Sequence, residues 1–316
     1  ARREAGKSGD TAAETEAEPV SGEEQDGYQR SRDHACSPQQ PNGQTVVLLH
    51  GKNFCGATWE ETIAFLSAAG YRVVAIDQIG FCKSSKPESY QFSLSQLAAN
   101  THQLLENIGI VKPVVMGHSM GGMLAARYAL MYPGHVSKLV MVDPIGLEDW
   151  QALGVPYATI DSLYTGELKR DYEGIKSYQQ KYYYNGDWNE DYDKWARMLA
   201  GMYVGEGKER VAYNQAQTSE MIFTQPVIHE FKNIAVPTLL IIGENDKTAP
   251  GANRASDALR QKLGNYPRLG RRAVKMIPNA KLIEFKGLGH SPQIEEPEKF
   301  HNALKDYLGE TENGHK

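Results

Sequence analysis

Cysteine is scarce in this chain of 316 residues. Cys36, Cys55 and Cys82 stand at spacings that make neither a metal-ligand pattern nor a disulfide framework. They fit a reducing compartment, and the compartment is left open between the cytoplasm and an exported mature form. Long apolar runs are missing too. None approaches the roughly 20 residues that a membrane-spanning helix needs, so no membrane is expected as a partner. There is no excess of positive charge: 34 Lys and Arg against 39 Asp and Glu give a formal net charge of -5. That balance gives no electrostatic reason to expect nucleic acid. No internal repeat is visible. What is there is the composition of a soluble globular protein, 41% hydrophobic and 23% charged, long enough for one large domain or two small ones.

Branched aliphatic residues are nearly absent from residues 1–42, which are rich in Ala, Glu, Gly, Ser and Gln. Such a segment buries too little apolar surface to offset its ordering entropy, so disorder or atypical structure is expected there. Arg2 and Arg3 are not followed by an apolar stretch and make no twin-arginine export signal. The first residue is Ala, which fits a trimmed chain.

From Thr45 the character changes. "TVVLLHG", "YRVVAID", "PVVMG" and "VSKLVMVD" read as buried strands, separated by "ATWEETIAFLSAAG", "SLSQLAANTHQLLENIG" and "MGGMLAARYALMYP", which read as helices. This alternation predicts βαβ units in an α/β fold, a mostly parallel sheet with helices on both faces. Residues 144–232 break the rhythm. They are crowded with Tyr and Trp and look helical in short pieces. The sheet resumes with "VPTLLIIG" and "AKLIEFKG", and "EPEKFHNALKDYL" closes the chain as a helix. The expected organisation is a core in two parts, 43–143 and 233–310, a helical cap inserted over 144–232, and a tail at 311–316. The link over 253–278 is longer than two strands need and, with its basic residues, is expected to form a surface excursion.

One serine stands out. Gly117-His118-Ser119-Met120-Gly121 is G-x-S-x-G, placed between a predicted strand and a predicted helix. A sharp strand-to-helix turn crowds its neighbours, hence the glycines, and lifts the hydroxyl above the sheet edge at a helix N-terminus. A serine hydroxyl needs a base to attack, and the base needs an acid to orient it. His290, in the loop of "FKGLGHSP" after the last strand, is the expected base. His301 reads as a solvated helix residue, and His229 is a lesser candidate. Asp246, in "LLIIGENDKTAP", is the expected acid, with Asp143 in reserve and Glu244 third. Backbone N–H groups of Met120 and Lys52 are the expected oxyanion donors, Asn53 and Phe54 being alternatives to Lys52. Asn53, Phe54 and His118 are expected to contact substrate. His50 is expected to bond loop backbone.

These pieces together resemble the α/β-hydrolase fold family, in its serine-hydrolase branch with a helical cap. "LLHGKNF", "VVAIDQIGFCKSSKP", "VVMGHSMGGMLAARYA", "LLIIGENDKTAP" and "GLGHSPQIEEPEKF" run in family order. By resemblance, Ser119 matches the nucleophile, Asp246 the acid and His290 the base. "DQIGFCKSS", with Asp77, Gly80 and Ser84, resembles a structural turn of the family. The family usually has a strand pair before the "HG" strand, and residues 1–42 offer none. The implied activity is hydrolysis through an acyl-enzyme, without metal or organic cofactor. A carboxylic ester of small or medium size, apolar or aromatic, is the first expectation. A lactone or the carbon–carbon bond of a vinylogous diketone is the alternative, and a ligand receptor without turnover is the other class. The protein is expected as a monomer or homodimer acting on a small molecule.

Overall fold

A computed structural model describes residues 43–309. The expectations for 1–42 and 311–316 lie outside the described residues. Six short runs of mostly Val, Ile and Leu become strands: β1 (Thr45–Leu49), β2 (Arg72–Ile76), β3 (Val114–His118), β4 (Lys138–Val142), β5 (Thr238–Gly243) and β6 (Ala280–Phe285). The main helices are α1 (Glu60–Ala68), α2 (Leu94–Asn107), α3 (Met120–Met131), α4 (Ile160–Glu167), α5 (Tyr172–Tyr182), α6 (Glu190–Gly201), α7 (Lys208–Thr224), α8 (Tyr266–Met276) and α9 (Pro297–Gly309).

The strands form one parallel sheet in the order β2-β1-β3-β4-β5-β6. β3 and β5 are buried at every position. A strand covered on both faces has no polar side, which is why these runs read as continuous apolar stretches. Alternate residues of β1 divide between the two faces. Val47 and Leu49 join Leu97, Leu104 and Leu124, under α2 and α3. Val46 and Leu48 join Trp59, Leu66, Phe300 and Leu304, under α1 and α9. His301 belongs to that second layer. It is buried, its ring stacks 4.5 Å from Phe65, and its Nε2 lies 3.1 Å from Thr62 Oγ1. Burial lowers its pKa to about 4. The expectation of a solvated His301 is therefore corrected: on this face of α9 it packs against α1.

Between β4 and β5 the chain forms α4 to α7 and no strand. Ile175, Ala196, Leu199, Val211 and Ala212 make a small apolar cluster of their own there. A second correction concerns the link before β6. Its first part lies at the surface, with no buried residue in Asp257–Arg260, but the helix that follows does not. α8 buries Tyr266, Leu269, Gly270 and Ala273, an i, i+3, i+4, i+7 stripe, against the face of β5 and β6. Its Arg and Lys residues occupy the opposite side, and they masked the stripe in the sequence.

The strand order reverses beside β1: the chain leaves β1 for β2 on one side and returns to β3 on the other. Such a reversal marks the C-terminal rim where open α/β sheets place ligands, and there the segments after β1 and β3 pack closely, a Cβ on Gly51 falling 2.9 Å from Ser119 Cβ. Among the described residues, no helix is long and apolar enough to cross a membrane. If α8 is core, Leu269→Ala should cost about 2–4 kcal/mol in urea unfolding. Exposed Lys275→Ala should change stability by less than about 0.5 kcal/mol, and equal small effects would return the link to the surface.

Candidate active site

Ser119 follows β3 and stands at the N-cap position of α3, with φ 57° and ψ -118°. Such a backbone costs a non-glycine residue on the order of 1–3 kcal/mol. The turn exists because its neighbours lack side chains. A Cβ on Gly117 would lie 1.9 Å from Gly121 O, and one on Gly121 would lie 2.1 Å from Leu49 O. Four hydrogen bonds hold the strain: Ser119 N–H donates to Val142 O at 3.0 Å, and Ser119 O accepts from Gly122 N–H at 2.9 Å, Ile145 N–H at 3.3 Å and Met123 N–H at 3.4 Å.

Asp246 follows β5 and His290 follows β6. His290 Nδ1 lies 2.6 Å from Asp246 Oδ2, and both side chains are fully buried. Thr248 N–H donates to the other carboxylate oxygen at 2.7 Å, fixing its plane. With Nδ1 committed to the carboxylate, Nε2 is the basic nitrogen. It is buried and has no hydrogen-bond partner, so the Ser119 hydroxyl is not bonded to it in this structure. Such bonds are often long without substrate and tighten when it binds. The two loops do meet: His118 Nε2 donates to His290 O at 2.7 Å, and the two rings are 4.9 Å apart.

The reserve acids fall elsewhere. Asp143 Oδ1 accepts from Gly243 N–H at 2.8 Å. Burial, and next the charge of Asp246, push its carboxyl well above the usual range. Asp143 is thus the poorer site for a negative charge, and it is Asp246 that reaches His290. Glu244 is half-buried, with its N–H on Phe285 O at 3.0 Å. His229 has an exposed side chain, with Nε2 2.8 Å from Asp149 Oδ2 and not against His290 or Asp246.

The loop after β1 sorts its own candidates. Phe54 N–H donates to Gly51 O at 3.1 Å and is spent. The N–H groups of Lys52, Asn53 and Met120 meet no acceptor among the described residues. Phe54 is thereby corrected as an alternative oxyanion donor, whereas Lys52 and Met120 keep open donors. His118 is used within the fold. Its Nε2 is used on His290 O, and its ring packs edge-on against Phe54 at 5.1 Å and Trp59 at 6.3 Å. His50 accepts from Gln78 N–H at 3.0 Å and donates to Gly51 O at 2.8 Å, tying loop backbone together.

The insertion reaches this rim at two places. Tyr183 OH accepts from Asn53 Nδ2 at 2.7 Å, its ring lies 4.6 Å from His290, and its carbonyl accepts from His290 N–H at 2.9 Å. Lys52 Nζ donates to Glu167 Oε1 at 2.7 Å. Burial alone would raise the Glu167 carboxyl, but the Lys52 and Arg170 cations bring it to about 2. This pair therefore stays ionised down to about pH 2. Trp188 instead packs on Tyr184 and Tyr192, within the insertion. In the sequence Tyr183 was one aromatic of several, and nothing there set it apart.

The cysteine reading is also corrected. Cys55 and Cys82 form a disulfide across 27 residues, with Cα atoms 6.1 Å apart. Spacing held no signal of it, because the pairing depends on two loops that meet only in the fold. Cys36 lies outside the described residues. Ligand atoms of Cys55, Cys82 and Asp77 lie within 4.8 Å of one another. The two sulfurs are joined, and Asp77 already accepts from Gly56 N–H at 2.7 Å and Lys83 N–H at 3.2 Å, so this is a poor donor set for an ion.

The sequence profile of the alpha/beta hydrolase fold matches residues 44–297. The chain belongs to this family. It is 56% identical to a probable hydrolytic enzyme of Pseudomonas aeruginosa PAO1, whose crystal structure superposes with a TM-score of 0.85 over 87% of this chain and 88% of that one. It is 29% identical to Lipase 1 of Psychrobacter immobilis, over 80% of this chain and 73% of the lipase. It is also 29% identical to 2-hydroxy-6-oxononadienedioate/2-hydroxy-6-oxononatrienedioate hydrolase 1 of Dechloromonas aromatica, over 84% of this chain and 86% of that enzyme. These likenesses support a hydrolase.

Sequence reasoning passed over Glu295. Its carboxylate accepts from Gly289 N–H at 2.9 Å and Ser291 N–H at 3.0 Å, the residues on either side of His290. Burial raises its pKa to about 7 against those hydrogen bonds. Below pH 4.5 the group is neutral folded or unfolded and carries no penalty. As pH rises toward 7 the unfolded chain ionises first, so the fold loses stability over that window. Wild type should lose on the order of 2–3 kcal/mol relative to Glu295→Gln between pH 4.5 and 8, read by urea unfolding. A pH-independent difference would contradict a carboxyl raised in this way.

Proposed function

We propose that this protein is a serine hydrolase working through Ser119, His290 and Asp246, and that its first substrates are carboxylic esters. The buried 2.6 Å contact between Asp246 and His290, which leaves Nε2 unpartnered on a loop that accepts a hydrogen bond from His118, the residue before the strained Ser119, carries the reading. His290 Nε2 takes the Ser119 proton as the oxygen attacks a carbonyl carbon. The Lys52 and Met120 N–H groups hold the oxyanion, and Asp246 stabilises the imidazolium. His290 then protonates the leaving alcohol. Water, deprotonated by the same nitrogen, attacks the acyl-enzyme, and the proton returns to Ser119 as the acid leaves.

The helices over 144–232 act as a cap. Tyr183 and the Lys52–Glu167 pair seat it on the loop that carries the oxyanion donor. Phe54 and Tyr183, with ring centres 5.6 Å apart, favour a small or medium substrate with an apolar or aromatic group. A second reading, cleavage of a carbon–carbon bond in a vinylogous diketone, draws on the likeness to the Dechloromonas aromatica hydrolase.

The test is a turnover panel of p-nitrophenyl esters of rising chain length, lactones and dienoate ketones. Ester turnover should exceed the others, and Asp246→Asn should lower kcat about 10³–10⁴-fold. A fluorophosphonate should label Ser119, with no adduct on Ser119→Ala and a weaker one on His290→Ala. A folded sample that neither labels nor turns over would favour a receptor, and ketone turnover above ester turnover would favour the second reading.

A further inference from the structure

The turn that follows His290 carries a carboxylate that the proposed chemistry does not use. Glu295 ends the short helix Pro292–Glu295. Its Oε1 accepts from Gly289 N–H and Ser291 N–H, each at 3.0 Å, and its Oε2 accepts from Gly289 N–H at 2.9 Å. These bonds complete a frame of three consecutive peptide units. The Leu288–Gly289 unit is held at its carbonyl by Asn245 N–H at 2.9 Å and at its N–H by Glu295. The Gly289–His290 unit donates its N–H to Tyr183 O at 2.9 Å. The His290–Ser291 unit is held at its carbonyl by His118 Nε2 at 2.7 Å and at its N–H by Glu295. Gly289 itself has no slack. A Cβ on it would lie 2.1 Å from Tyr183 O, and one on Gly243 would lie 1.9 Å from Gly289 O.

Two N–H groups facing one side chain call for acceptors alone. A carboxylate accepts at both oxygens, whereas a carboxamide or a protonated carboxyl keeps one plain acceptor and adds a donor beside Gly289 N–H. Bonds to the charged form are also the stronger ones. The ionisable groups around Glu295 are Asp246 and Asp143 of the core, Asp187, Tyr184 and Tyr192 of the insertion, its chain neighbour Glu296, and His290. Burial raises the carboxyl to about 7, against the two N–H bonds, and the charges of Asp246 and Asp187 add to the rise.

We propose that Glu295 is a positioning residue for His290: its carboxylate fixes the peptide units on both sides of the imidazole and so sets where Nε2 points. The proposal rests on the reading of His290 as the base. Asp246 orients the ring through Nδ1, and Glu295 fixes the backbone from which the ring hangs. Glu295 takes no part in proton transfer. Above its pKa the charged group holds the frame, and below it the neutral group holds it less firmly. The ionisation that lowers the stability of the fold therefore raises the rate.

Two measurements test this. The first is kcat and KM for p-nitrophenyl butyrate, in wild type and Glu295→Gln, from about pH 5.5 to about pH 8.5. Wild-type kcat should be about tenfold higher at the alkaline end with KM within about twofold, and the advantage should shrink below about twofold at the acidic end, where carboxyl and amide are alike. A residue that merely caps the short helix would leave the ratio flat across pH, which would overturn the proposal. The second needs no turnover. NMR of wild type follows the Glu295 carboxyl carbon, the Gly289 and Ser291 amide protons and the His290 ring protons. All should share one midpoint near pH 7. Amide protons that follow the carboxyl while the ring does not would overturn the proposal. A shared midpoint without ester turnover would remove the hydrolase reading and still leave Glu295 setting the position of the ring. The wild-type titration decides the matter even if Glu295→Gln fails to fold.

Discussion

A buried contact between one carboxylate and one imidazole organises the rim of this sheet. Asp246 and His290 belong to loops after neighbouring strands, β5 and β6, whose parallel pairing sets the two loops side by side. Taking a charge out of water is costly unless it is paired and hydrogen-bonded. Here the carboxylate is answered by His290 and Thr248 N–H, and the His290 loop is in turn gripped by Glu295, Tyr183 and His118. The imidazole is left one direction in which its second nitrogen can act.

That grip couples the core to the insertion. The backbone of Tyr183 bonds the backbone of His290, and its hydroxyl holds Asn53 beside the open N–H of Lys52. The Lys52–Glu167 pair fixes the same loop a second time. The helices between β4 and β5 are thus joined to both the proposed base and the proposed oxyanion donor. A shift of this segment would be felt at both, which is the physical content of calling it a cap.

Much of the fold could be read from the sequence because its signals are local. The strands are short β-branched runs, and the turn at Ser119 needs glycines within two residues of it. Ser119, Asp246 and His290 could be put forward together because each stands just past a strand end, and a parallel sheet gathers such positions at one edge; the structure brings Asp246 and His290 into contact. Contacts made by distant loops left no such trace. The Cys55–Cys82 bond, the packing of His301 on Phe65 and the use of His118 on a backbone carbonyl depend on how loops and helices close over the sheet. α8 was misjudged for a different reason. Its basic outer face is the more conspicuous half of an amphipathic helix, and the buried stripe of Tyr266, Leu269, Gly270 and Ala273 lay beneath it.

The central claim is geometric: one alcohol, one imidazole and two backbone donors share a single point at the rim. A crystal structure of a phosphonate adduct tests it most directly. The account expects phosphorus on Ser119 Oγ, one phosphonyl oxygen about 3 Å from the N–H groups of Lys52 and Met120, and His290 Nε2 turned toward Oγ. An adduct on another residue, or a His290 ring facing away from the modified serine, would contradict it.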